Sequence, residues 1–126
     1  MKSLLMTTAV LEAGAGAALI CLPLLFTTLL LGVPLTVPEA VVVARVGGAG
    51  LLALGVACWL ARVDAHSRAA KALVAGILVY NAGAVIALGY AGAALQQIGI
   101  VLWPAVVLHV AMAGWCILCL RAEPTR

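Results

Sequence analysis

The sequence predicts an all-α polytopic membrane protein: one domain of four transmembrane helices in an up-down-up-down bundle. Three observations carry that expectation. Of the 126 residues, 67% are hydrophobic and only 9% charged, and the mean hydropathy of +1.28 lies far outside the range of a soluble domain. Four apolar runs, Ser3 to Leu31, Glu39 to Ala61, Ala69 to Tyr90 and Gln97 to Leu120, each reach the roughly 20 residues a helix needs to cross the hydrocarbon core. The connections between them are short, which forces consecutive helices to run antiparallel. The runs lack the alternation of a membrane barrel, and helices satisfy their own backbone polar groups inside lipid.

Helix 1 reads as a retained span. Lys2 and Ala13-Gly14-Ala15 imitate a signal peptide, but the apolar stretch continues past them and contains Glu12, unlike a cleaved leader. Leu19 and Ile20 deny Cys21 the small preceding residue of a lipoprotein site. Pro23 removes one helical hydrogen bond and predicts a kink in the outer half. Gly32 and Pro34 then stop the helix, and Thr36 with Glu39 forms a capping-box signal for helix 2. The second connection, "ARVDAHSRAAK", is the longest polar stretch, with Asp64 or Ser67 as the N-cap of helix 3. The third, "YAGAALQQIG", is short and uncharged. Pro104 either kinks helix 4 or occupies its first turn. The distance from Pro104 to Leu120 is roughly 25 Å at 1.5 Å per residue, so a short, slightly broken helix is expected.

Charge gives the orientation. Arg62, Arg68 and Lys71 flank the second connection, Lys2 lies at the start, and Arg121 and Arg126 lie at the end, while the first and third connections hold no Lys or Arg. By the positive-inside bias both termini face the cytoplasm, in the cytoplasmic (inner) membrane. Arg45 alone falls outside the pattern. Small residues recur four apart, as in Ala13 and Ala17, Ala44 and Gly48, Ala72 and Gly76, Gly83 and Ala87. They predict close helix packing within the chain or, alternatively, a homodimer seam.

Five polar residues interrupt the spans: Glu12, Arg45, Tyr80, Asn81 and His109. Such residues are costly in lipid and usually face a bundle interior or a water-filled cavity. Counted from the cytoplasmic ends, Glu12 lies roughly 13 Å deep, Asn81 roughly 15 Å and His109 roughly 18 Å, with Arg45 higher at roughly 25 Å. Three residues from three helices thus share one layer. One reading is mutual satisfaction, with Glu12 protonated or bonded to Asn81 and a neutral His109. The other is a small polar pocket at the midplane, closed above by Arg45 and edged by Tyr80, that takes a proton, an anion or a lipid-like headgroup.

His109, Met112, Cys116 and Cys119 also form a stripe on helix 4 within about 80° of one another. His109 and Cys119 are about 15 Å apart along the axis, too far to hold one ion, and Met and Cys are ordinary apolar filler. Core packing is therefore expected, ahead of a soft metal such as copper or a haem completed by a second protomer.

Three families share features with the chain. The Cys116-Ile117-Leu118-Cys119 spacing and the helix count resemble vitamin K epoxide reductase and its bacterial relatives, membrane thiol oxidases with a CxxC beside a quinone site. Here, however, the first outer loop contains no cysteine, and the expected topology puts this CxxC toward the reducing cytoplasm. Glu12 in helix 1 of a short four-helix chain resembles the small multidrug resistance transporters, in which a helix 1 glutamate exchanges protons for cationic drugs. Tyr80-Asn81-Ala82-Gly83 matches their helix 3 only loosely. A broader resemblance, on Glu12 and Pro23, "ARVGG" and "ACW" in helix 2, "YN" in helix 3 and "LWPAVVLH" in helix 4, is to short uncharacterised bacterial membrane proteins, broadly DoxX-like. It implies fold and location but no substrate.

The expectation is thus a non-enzymatic membrane protein that binds or passes a small ligand at Glu12, Asn81 and His109, supported by Arg45 and Tyr80, with proton coupling as one form of that activity. The alternatives are an accessory or scaffold subunit of a larger membrane complex, a drug transporter, and least of all a CxxC oxidoreductase. Neither a cofactor, a metal nor a nucleic-acid partner is expected.

Overall fold

The computed structural model describes residues 1–122, which are mostly helical, with no strand among them. Five helices follow one another: α1 (Lys2–Cys21), α2 (Pro23–Leu31), α3 (Pro38–Ala61), α4 (Arg68–Ala93) and α5 (Leu102–Ala122), with a 3-10 turn at Arg62–Asp64. All except α2 are long and apolar enough to cross a membrane. Large apolar side chains such as Val43, Val79, Ile86 and Leu118 point away from the rest of the chain.

The first apolar run is divided where Pro23 predicts it. Leu22 leaves helical geometry (φ −131°, ψ 51°), and Pro23 opens α2 at a position that requires no amide hydrogen. The 20 residues of α1 alone amount to about 30 Å, so the nine residues of α2 are surplus to one crossing. Gly32 closes α2 in the left-handed conformation (φ +81°) that a side chain would disfavour.

Two local expectations are corrected. Thr36 does not cap the next helix: Val37 is the N-cap, without a side-chain bond, because Pro38 occupies the first helical position and already sets its dihedral. The last helix is neither short nor broken. It runs 21 residues with Pro104 in its first turn, where a missing N–H costs no helical bond. Of the two candidate caps for α4, Ser67 acts, its hydroxyl accepting from the amide of Ala70 at 3.1 Å. Asp64 contributes its carbonyl, which accepts from the Ser67 hydroxyl.

The helices associate as two pairs, α1 with α3 and α4 with α5. In the first pair the backbones meet: a Cβ added at Gly16 would fall 2.6 Å from the Gly48 carbonyl oxygen and 2.6 Å from the Leu52 amide nitrogen. Ala9 and Ala13 continue the seam against Gly55. Small residues are what permit this approach. Between the pairs, packing differs along the length. At the end bearing Met1, the Arg62–Ser67 connection and Leu120, a core of Leu4, Leu5, Cys58, Ala65, Val74, Ile77 and Cys116 joins all four long helices. At the opposite end the amide of Val101 donates to the carbonyl of Leu29 at 3.1 Å, and Gly99 lies against the backbone of Leu30.

Candidate functional site: a cavity between the two helix pairs

Between these two closures lies a cavity of about 360 Å³. Its wall is mostly aliphatic, with Leu11 and Leu19 from α1, Phe26 from α2, Leu51 from α3, and Leu88 and Leu108 from α4 and α5. Four polar residues interrupt it: Glu12, Tyr80, Asn81 and His109. An apolar cavity of this size with a few convergent polar groups is the usual form of a small-molecule site.

Each polar residue is positioned by its helix. On α4, Asn81 is 1% exposed, and its amide nitrogen donates to the Ile77 carbonyl at 2.8 Å. That bond fixes the amide plane and leaves Oδ1 directed at Nδ1 of His109 on α5, 2.8 Å away. The neighbouring Tyr80 ring meets the His109 imidazole edge to face, with centroids 5.6 Å apart and planes at 83°. One helical turn of α4 thus holds the imidazole on two sides. Glu12 enters from α1, 6% exposed, with its carboxyl near the Tyr80 hydroxyl. The Glu12–Tyr80 and Asn81–His109 contacts therefore sit side by side, one across the divide and one within a pair.

Of the five residues expected in the site, four line one cavity and Arg45 does not. The expectation that it closes the pocket from above is corrected. Arg45 is exposed and lines a separate groove of about 300 Å³ at the α1–α2 break, with Leu22, Pro23 and Val41. The reason is the roll of α3: Gly48 and Gly55 must face α1, and Arg45 stands about 60° round the helix from Gly48. Nor do Glu12, Asn81 and His109 bond directly to one another as a triad, because Tyr80 is the residue that faces Glu12.

Sequence reasoning missed Phe26, the aromatic wall that α2 supplies, and the alanines Ala15, Ala84, Ala87 and Ala105, whose short side chains leave the space open. The signal was present in the small residues of helices 1 and 3, but it reads equally as close packing. On α5, Met112 lines the cavity floor, while Met112 and Cys116 belong to the buried core and Cys119 packs against it. All four cysteines are free. Among the described residues no group of three or more His, Cys, Asp or Glu side chains could hold a metal ion.

No family model matches the sequence, and no curated protein or solved structure matches it.

Proposed function

We propose that the protein is a multi-pass component of the cytoplasmic membrane that binds a small, largely apolar ligand in the cavity between its helix pairs, and that it is not an enzyme. In this reading the four long helices cross the bilayer up-down-up-down, with both termini cytoplasmic. The Lys and Arg residues around Lys2, Arg62, Arg68, Lys71 and Arg121 support that orientation. The observation that carries the ligand reading is the convergence of Glu12, Tyr80, Asn81 and His109 on one 360 Å³ cavity in a chain otherwise so apolar. Polar groups kept inside a membrane span are expensive, and function is the usual reason for retaining them. Passage of the ligand with a proton carried by Glu12 is the transport form of the same reading.

The test is ligand capture. Native mass spectrometry of the purified protein in lipid should find a bound small molecule on the wild type. Glu12→Gln and His109→Ala should lose it while keeping the helical circular dichroism and melting cooperatively. If both variants simply unfold, the polar groups are structural and the proposal falls.

A second reading, as a homodimer or a subunit of a larger membrane complex, is favoured by α4. Its Gly76 and Gly83 face open space, with nothing within 4 Å of an added Cβ. A dimer or a copurifying membrane protein in the same spectrum would support it.

A further inference from the structure

The hydrogen bonds around His109 specify what the ligand must bring. The Asn81 amide nitrogen is committed to the Ile77 carbonyl, so only its carbonyl oxygen can face the imidazole. An oxygen without hydrogen can only accept, hence Nδ1 of His109 is the N–H that donates across the 2.8 Å contact. The neutral ring consequently carries its lone pair on Nε2. That nitrogen has no hydrogen-bond partner among the described residues, and the side chain belongs to the cavity wall. No carboxylate pairs with the ring: its contacts are Asn81 and the Tyr80 ring, and the Glu12 carboxyl lies near the Tyr80 hydroxyl instead. A charged imidazolium would thus stand in an apolar interior without a hydrogen-bonded counter-ion. The cavity offers an acceptor that nothing in the protein uses, surrounded by aliphatic wall.

From this geometry we infer that the cavity takes an uncharged, mostly apolar molecule bearing a hydroxyl, a phenol or alcohol, which donates its hydrogen to Nε2 of His109. This rests on the ligand-binding reading above and narrows it. Size fits the class: an apolar cavity of about 150 Å³ in another protein holds one benzene, so 360 Å³ admits a two-ring aromatic or a medium-length chain. Glu12 on the facing helix is another polar residue of the same wall. Asn81 is then a positioning residue, holding the proton on the far nitrogen so that the near one stays open.

The experiment compares 2-naphthol with 2-methoxynaphthalene, which keeps the rings and oxygen but lacks the hydroxyl hydrogen. Binding to the full chain in lipid nanodiscs is measured calorimetrically, with empty nanodiscs correcting for partition into lipid. Imidazole nitrogens are followed by ¹⁵N NMR, assigned with His66→Gln. The naphthol should bind about fivefold to tenfold tighter, as one satisfied hydrogen bond implies. It should shift Nε2 of His109, which the free protein should show unprotonated. In Asn81→Leu the ring proton is released from Nδ1, and the preference should fall toward parity while the ether still binds. Equal affinity for the two compounds in the wild type, or a protonated Nε2, overturns the inference and leaves the cavity a ligand site of another chemistry. If neither compound binds, this inference fails, and the native mass spectrum separately decides the ligand-binding reading: a captured molecule keeps it, and none captured removes it as well.

Discussion

The α1/α3 seam and the divide between the helix pairs are built from similar residues with opposite results. Along the seam, Gly16, Gly48 and Gly55 bring backbone against backbone, so no space remains. Along the divide, Ala15 on α1 faces Ala84 and Ala87 on α4 and Ala105 on α5, yet the backbones stay apart and a 360 Å³ cavity remains. The difference lies in what holds the helices at the ends. The Leu4, Leu5, Val74, Ile77 and Cys116 core sets the spacing at one end, and the Leu29–Val101 contact sets it at the other. Small residues thus close a gap only when nothing bulkier props it open.

Substitutions can break this contrast from either side. The largest effect is expected at the seam. Gly48→Leu places atoms where the Gly16 carbonyl and the Leu19 side chain already are, and overpacking of this kind should cost about 3 kcal/mol or more. Thermal unfolding in detergent checks it, and a variant that melts like wild type would show that the helices are not in backbone contact. Next comes Asn81→Leu, which strips His109 of its Nδ1 partner and should cost about 1–3 kcal/mol. A double-mutant cycle with His109→Leu should recover about 1 kcal/mol of that loss as coupling.

At the divide the expected stability change is smaller and the functional one larger. Ala84→Leu adds side-chain volume to empty space, so stability should stay within about 1 kcal/mol of wild type or rise. Ligand capture should nevertheless be lost, as native mass spectrometry would show. Unchanged capture would mean that the ligand sits elsewhere. The smallest effect belongs to Gly83→Ala on the outward face of α4, where an added Cβ meets nothing. It should change the melting free energy by no more than about 0.5 kcal/mol. A larger loss would reveal a partner helix on that face.

Much of the fold was legible because apolar length and punctuation are local properties. The expected span from Glu39 to Ala61 differs from α3 by one residue, and the Ala69 to Tyr90 span lies inside α4. Pro23 marks the break, and Ser67 caps as one of two candidates. That Glu12, Asn81 and His109 stand at one level along the helices and line one cavity was legible too, since rise per residue is nearly constant in a helix. Direction was harder. Which way a residue points depends on how its helix is rolled against its neighbours, and that is set by packing remote in sequence. Arg45 shows the cost of ignoring roll: the Gly48 and Gly55 pair, two turns apart, already named the face turned to α1, and Arg45 is not on it. Tyr80, expected at the edge of the pocket, is instead the residue that links Glu12 on one pair to His109 on the other. Adjacent residues on a helix stand about 100° apart, so Tyr80 and Asn81 reach different partners from a single turn.

The break at Leu22 has a mechanical consequence. Because α2 leaves the line of α1, it carries Leu29 to the start of α5, where the bond to Val101 is the sole backbone hydrogen bond between the helix pairs among the described residues. The opposite end is clamped by the interlocked side chains of the core. The two ends are therefore held by different kinds of contact. The contact surface between the helix pairs is thus side chain to side chain at one end and backbone to backbone at the other, where Gly32 and Gly99 let the α2 and α5 connections touch.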